Sequence, residues 1–243
     1  MADLTKKISV LYEDSDVLVI NKPAGLIVHR DGKTKEASIA DWVSKKYPKL
    51  KKVGEPLKLS DGSVIQRPGI VHRLDRETSG ALLVAKNQEA FLNLKNQFQK
   101  RKVSKVYNAF VYGTMREKRG LIELPIARSR KDFRMWSAER GSRGETRPAE
   151  TFFKVLKEND HFTFLELHPH TGRTHQIRVH MKALQHPVVC DGLYASTRPQ
   201  ALGFKRLALH ALSLDFYSPN KGRVKVEAPL PLDFKKALVL LSK

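Results

Sequence analysis

His72-Arg73-Leu74-Asp75-Arg76-Glu77-Thr78-Ser79-Gly80-Ala81-Leu82-Leu83-Val84 divides into a charged half and an apolar half. The apolar half reads as a short buried strand, because an aliphatic run of this length bounded by turn residues suits one. The charged half then lies where a loop enters that strand, a place where side chains are held firmly and yet face a cleft. One carboxylate in it, Asp75, stands between two arginines. On spacing alone, Asp75 reads more readily as a cap, or as a fold-stabilising ion pair with Arg73 or Arg76, than as a catalyst.

Upstream, Ile8 to Tyr12 and Val17 to Ile20 are β-rich runs joined by Glu-Asp-Ser-Asp, a hairpin pattern. A Pro/Gly turn at Asn21-Lys22-Pro23-Ala24-Gly25 hands the chain to Leu26-Ile27-Val28-His29. Ser38 to Tyr47 has helical periodicity, with Ser38 and Asp41 spaced as a capping box. Lys45 to Lys58 is lysine-rich with prolines at 48 and 56, a loop that is either solvated or turned toward a polyanion.

Downstream, Asn87 caps a helix with Ala90, Phe91, Leu94 and Phe98 as its apolar stripe. Ser104 to Tyr112 alternates as a strand with Lys105, Tyr107, Ala109 and Val111 on one face. Arg128 to Arg147 carries seven basic and three acidic residues, with Phe133, Met135 and Trp136 among them. Such interleaving suits a mobile hairpin or loop gripping RNA, or equally a surface hairpin with its aromatics folded inward. Thr151 to Lys157 and His161 to His168 flank an Asn-Asp turn. Thr171-Gly172 leads into a helix with Ile177, Met181 and Leu184 toward the core and His175, Arg178 and Lys182 on another face. Asp191-Gly192 is a turn, Leu207 to Phe216 and Val224 to Glu227 are strands, and a last amphipathic helix starts at Asp233. Many strands with a few helices between them indicate an α+β fold with a mixed, mostly antiparallel sheet. The 243 residues suit one large domain or a domain with two lobes.

Lys and Arg number 45 against 25 Asp and Glu, a formal charge of +20, which argues for a polyanionic partner. Nucleic acid fits better than membrane, because no apolar run has transmembrane length and no signal-peptide pattern is present. The single cysteine, Cys190, excludes an internal disulfide framework and a Cys-rich zinc site, and makes the cytoplasm the default location. No phosphate loop, dinucleotide fingerprint or His-Glu-x-x-His occurs. Histidines 168, 170, 175 and 180 lack a carboxylate or thiolate at ligand spacing, so contact with RNA or a structural role outranks metal binding. What remains is a carboxylate beside arginine, kept ionised by its neighbour and able to serve as nucleophile or general base.

Four segments together resemble the RluA-type pseudouridine synthases. They are Asn21-Lys22-Pro23-Ala24-Gly25-Leu26-Ile27-Val28-His29, His72 to Gly80, Lys105 to Gly113, and Thr171-Gly172-Arg173-Thr174-His175-Gln176-Ile177-Arg178-Val179-His180, with Leu209-His210-Ala211 as a short last motif. Their order matches the family's. The chain departs from the pattern at Gln185 and Cys190, where the family usually has glycine, and these residues show no counterpart of the small N-terminal RNA-binding module of many relatives.

The resemblance implies a pseudouridine synthase fold in a single domain, with the active-site cleft across the sheet. It also implies conversion of uridine in RNA to 5-ribosyluracil: the C1′–N1 bond breaks, the uracil turns, and C5 joins C1′. By the same match Asp75 acts at the ribose, by attack at C1′ or by taking a proton from C2′. Arg178 pairs with Asp75, and Tyr107 stacks on the uracil or helps remove the C5 proton. Arg73 fills the place of the flipped base, and Lys22, His72, Arg76, Arg173 and His175 join it as RNA contacts. No metal or organic cofactor is needed, since the same atoms leave and return. The expected partner is rRNA or tRNA, and the protein is expected to be a monomer without a protein partner. The competing reading is a non-catalytic rRNA-binding or assembly factor that keeps the fold.

Overall fold

Asp14 reverses the chain near its start. Its Oδ1 accepts from the backbone N–H groups of Asp16 (2.7 Å) and Val17 (2.8 Å) and turns β1 (Ser9–Glu13) into the antiparallel β2 (Val17–Lys22). The computed structural model describes residues 3–30, 36–59, 62–139 and 142–242. The chain divides into two compact units, Met1–Ser104 with Ala211–Pro229 and Lys105–His210 with Leu230–Lys243.

In the first unit, Ser38 and Asp41 form both bonds of a capping box at the start of α1 (Ile39–Lys46). The lysine-rich stretch after it is more ordered than a plain loop: a 3-10 turn over Pro48–Lys52 precedes the two-residue strands β3 (Leu57–Lys58) and β4 (Val64–Ile65), which pair antiparallel. The apolar half of the opening segment is β5 (Ser79–Ala85), and all seven of its residues are buried. It pairs antiparallel with β2 from Val17↔Ala85 to Lys22↔Gly80. Asn87 Oδ1 accepts from Ala90 N at 2.8 Å and caps α2 (Gln88–Gln99), whose Ala90, Phe91 and Leu94 pack on Val17, Val19, Ala81 and Leu83. Burying large side chains of this kind stabilises by about 1.5–3 kcal/mol each.

The second unit is built on an antiparallel sheet. Its strands are β6 (Ser104–Tyr112), β7 (Arg119–Ile122), β8 (Ile126–Arg128), β9 (Trp136–Ser137), β10 (Arg143–Arg147), β11 (Thr151–Glu158) and β12 (Phe162–Pro169). Their main order is β6-β12-β11-β7, and β10-β8-β9 form a small sheet of their own. Asn159 makes the β11–β12 turn, its Oδ1 accepting from His161 and Phe162 N–H. The helix α3 (Gln176–Ala183) follows β12.

The chain then completes the first unit with β13 (Leu209–Ser218), which lies next to β5, and β14 (Gly222–Glu227), which pairs with β13. Gly80, at φ +113°, explains the close approach: a Cβ there would stand 2.1 Å from Ala211 O. The last helix, α4 (Leu232–Leu240), returns to the second unit and seats Phe234 among Phe110, Phe164 and Phe204. Phe110 lies 4.7 Å from Phe164 and 5.5 Å from Phe234, ring centre to ring centre. The pairings are mostly antiparallel and the class is α+β.

Candidate active site

In the first unit, Thr78 N–H donates to Asp75 O at 3.2 Å and closes a turn over Arg76 and Glu77 just before β5. Two residues of the Asn21–Gly25 segment brace that turn. Lys22 Nζ donates to the carbonyls of Pro23 (3.0 Å), Leu26 (2.7 Å) and Arg76 (2.9 Å). Gly25, in the left-handed region at φ 87°, donates its N–H to the same Arg76 carbonyl at 2.9 Å. The carbonyl of the residue after Asp75 is thereby held from two sides.

Lys22 was expected on RNA, and the structure corrects this. It is fully buried, and three backbone carbonyls accept from its ammonium, so its charge stabilises the turn from within. His72 is half-buried and also contributes to the fold. Its Nε2 accepts from Leu83 N–H at 2.9 Å, and its ring stacks on Phe98 at 4.7 Å. A nitrogen that accepts carries no proton, so this bond belongs to the neutral ring. Arg73 and Arg76 are exposed. Arg76 meets Glu36 at 2.9 Å with both side chains about half in solvent, a pair worth at most about 1 kcal/mol and readily exchanged for phosphate. Asp75 itself is half-buried. Beneath the turn, Thr78 is 2 % exposed and its Oγ1 has no hydrogen-bond partner among the described residues.

In the second unit the site-bearing segment follows β12. Thr171 Oγ1 donates to Gln176 Oε1 (2.7 Å), and Arg173 N–H donates to the same oxygen (3.0 Å). Gln176 Nε2 donates to Glu150 O and Thr151 Oγ1. One glutamine so fastens the Thr-Gly turn to β11. Lys105 Nζ supports it from β6 by donating to Thr171 O at 3.1 Å. Arg173 donates through Nε to Pro148 O at 3.0 Å, and Tyr107 sits half-buried on β6 opposite Leu167.

His175 precedes α3 in the left-handed region at φ 56°, a conformation in which His is enriched among non-glycine residues. Arg178, on the first turn of α3, is buried and meets Asp191 through two parallel bonds, Nε to Oδ2 at 2.7 Å and Nη2 to Oδ1 at 2.8 Å. Asp191 Oδ1 also accepts from Leu193 and Tyr194 N–H at 3.0 Å each. The guanidinium lies 4.9 Å from the centre of the Tyr194 ring, and Lys182 Nζ lies 6.0 Å from it. The Tyr194 hydroxyl accepts from Trp136 N–H at 2.9 Å and stands 3.0 Å from His175 Nδ1. The shared face read for His175, Arg178 and Lys182 is therefore the face that meets Tyr194. Asp191 and Tyr194 were missed as site residues, because Asp191-Gly192 reads as a turn; the available signal was a carboxylate shortly after Arg178.

The other histidines have partners of their own. His168 Nε2 lies 2.9 Å from Glu166, and His170 Nδ1 is 3.7 Å from Glu150. His180 is fully buried between Thr151 Oγ1 and Leu124 O, and burial pushes its pKa below the ordinary value against the opposing effect of the Leu124 carbonyl. Among the described residues no group of three or more His, Cys, Asp or Glu is arranged to hold a metal ion. Nor, among them, is any helix long and apolar enough to cross a membrane.

Residues 16–183 match the family model described as RNA pseudouridylate synthase. The chain belongs to this family. Among similar proteins is an uncharacterized RNA pseudouridine synthase of Synechocystis sp., 37% identical over 238 residues, covering 96% of this chain and 69% of the relative. A ribosomal large subunit pseudouridine synthase D of Nitrosomonas europaea is 36% identical over 239 residues, 95% of this chain and 64% of that protein. Human RNA pseudouridylate synthase domain containing 1 has a similar structure, with a TM-score of 0.73 and 29% identity over 95% of this chain and 86% of that one. The protein is thus an RNA pseudouridine synthase, an isomerase acting on uridine in RNA. Asp191 and Tyr194 lie past the end of the matched residues.

Proposed function

We propose that this pseudouridine synthase acts on large-subunit rRNA as one catalytic domain, with Asp75 as the reacting carboxylate. The observation that carries the reading is the Asp75 turn itself. A half-buried carboxylate sits between two exposed arginines, on a backbone whose next carbonyl is held by Lys22 and Gly25. Rigidity of this kind is what a reaction at one sugar carbon requires, since a misplacement of about 1 Å can cost a hundredfold in rate. Relatives named ribosomal large subunit pseudouridine synthase D support rRNA over tRNA.

The target uridine must leave the base stack before its sugar is reachable, at a cost of a few kcal/mol. Arg73 is assigned to the vacated space, and Arg76, Arg173 and His175 to the neighbouring RNA. Exposed lysines from Lys45 to Lys58 offset the flipping cost through phosphate contacts. Asp75 then acts at the ribose, while Arg178 and Tyr107 serve the same reaction, Arg178 through its charge and Tyr107 against the uracil ring.

The test is tritium release from RNA labelled at uridine C5. Asp75→Asn abolishes release while RNA affinity stays within about tenfold, because phosphate contacts supply most of the binding. Turnover by Asp75→Asn at the wild-type rate sinks the assignment. Modification of excess RNA by catalytic amounts of enzyme separates this reading from a stoichiometric assembly factor. Pseudouridine maps of cells with and without the gene decide between rRNA and tRNA. Deuterium at C2′ separates the two chemical routes: a primary isotope effect assigns proton removal there, and its absence assigns attack at C1′.

A further inference from the structure

The arm of the second unit sorts its hydrophobic residues in two directions. Met135 and Trp136 fold inward on Ile126, Val179 and Tyr194. Phe133 does the opposite and is 84% exposed, more than any other large hydrophobic among the described residues. The turn that displays it is tightly built. Ser129 N–H donates to Met135 O and Met135 N–H to Asp132 O, both at 3.0 Å. Arg134 meets Asp132 through Nε–Oδ1 (3.1 Å) and Nη2–Oδ2 (2.7 Å), and this guanidinium holds the Asp132 carboxyl at about 2. From behind, Arg128 donates to the Phe133 carbonyl at 3.0 Å while its guanidinium stacks 4.4 Å from the Trp136 ring centre. The Trp136 N–H in turn is held by the Tyr194 hydroxyl. Phe133 is therefore an apolar ring displayed in water on a hydrogen-bonded turn.

Its surroundings are mainly cationic. Arg128, Arg130, Lys131, Arg134, Arg143 and Arg147 are all exposed, against the exposed Glu139 and Glu145, and Asp132 already has its partner. A lone ring among cations is too small an apolar area to bind a protein or lipid surface through hydrophobic contact. It has the composition of sites that stack a nucleobase and track its phosphates. Bases inside a duplex already stack on each other and offer no free face, so the occupant is an unpaired base.

We propose that Phe133 is a stacking platform for an unpaired nucleobase of the substrate RNA other than the target uridine, flanked by Arg130 and Lys131 on the adjoining phosphates. The proposal rests on the reading of this chain as an RNA-modifying enzyme and adds a second point at which it recognises its substrate.

The test compares wild type, Phe133→Ala, Phe133→Leu and Phe133→Tyr for affinity to single-stranded oligouridylate of about twenty nucleotides and to a blunt RNA duplex of equal length. Removal of a stacking ring weakens single-strand binding between about fivefold and a hundredfold. The Ala and Leu variants show this loss, the Tyr variant stays within about twofold of wild type, and duplex affinity is unchanged in all. The salt dependence of Phe133→Ala binding keeps the wild-type slope, whereas Lys131→Ala lowers it by about one, because only the latter removes a phosphate contact. Wild-type single-strand affinity in Phe133→Ala overturns the platform, as does an equal loss on the duplex or full retention by Phe133→Leu. Tritium release by wild-type enzyme is scored separately: its absence, with the Phe133 pattern intact, removes the isomerase reading and leaves the platform standing.

Discussion

Asp191→Ala strikes two sets of bonds at once. It removes the anion that faces the buried Arg178 guanidinium, and it removes the acceptor of the Leu193 and Tyr194 N–H groups. The side chains are 9% and 0% exposed, so solvent does not replace the lost partner. Breaking a buried ion pair from one side costs about 3–5 kcal/mol, a large share of the roughly 5–15 kcal/mol that holds a typical protein folded. Asp191→Asn keeps a neutral acceptor in place and costs less, about 1–3 kcal/mol. With a urea m-value of about 3 kcal/mol per molar, Asp191→Ala lowers the unfolding midpoint by about 1–1.7 M. Fluorescence of Trp136, read in a Trp42→Phe background, is the reporter, since this residue packs in the same cluster as Tyr194. The double variant Arg178→Met/Asp191→Leu removes both charges and is less destabilised than Asp191→Ala, because a buried pair replaced by apolar groups is often close to neutral. A midpoint for Asp191→Ala within about 0.2 M of wild type refutes the reasoning, and so does a double variant as unstable as the two single losses added together.

Three more outcomes are expected. Arg178→Lys loses most activity in the tritium assay, because a compact ammonium cannot reproduce two parallel bonds to Asp191; near wild-type turnover contradicts this. His180 titrates below its unfolded value of about 6.5, so the unfolded chain binds more protons as the medium acidifies. Its contribution is full above about pH 6.5 and is lost as pH falls, at up to about 1.4 kcal/mol per unit; thermal melts of His180→Asn between pH 7.5 and 5 then decline less steeply than wild type, and equal slopes exclude the effect. Thr78→Val removes a buried hydroxyl without a partner among the described residues and leaves the melting temperature equal or higher by about 2–4 °C, where a drop of that size shows that the hydroxyl is satisfied in the folded protein.

Features decided by neighbours in sequence were legible. The aliphatic run became β5, Ser38 with Asp41 formed its capping box, Asn87 capped α2, and Asn159 turned β11 into β12. Each depends on residues a few positions apart. Lys22 was misread because its acceptors come together only in the fold, one of them on residue 76. The Arg178–Asp191 pair escaped for a related reason, since nothing in a turn sequence marks its carboxylate as the partner of a helix residue. Gln185 and Cys190 stand where the resemblance expects glycine, yet both keep a positive φ, 66° and 56°. The backbone shape survives there without the residue that would reveal it. In the basic arm two hydrophobic residues turn inward and one outward, a split that the sequence pattern does not mark.

The first unit is discontinuous in sequence, and synthesis proceeds from one end. β5 gains its neighbour β13 only after the whole Lys105–His210 segment has been made. At about 5–20 residues per second, a growing chain carries β5 without β13 for roughly 6–25 s, that edge being covered only at its Leu83–Ala85 end by Gly69, Ile70 and His72. That edge belongs to a seven-residue strand whose every position is buried in the finished fold. Exposed apolar edges of this kind recruit other strands. A ribosome that stalls before Ala211 therefore releases a fragment prone to aggregate, and the interval between β5 and β13 is when this protein most needs a chaperone.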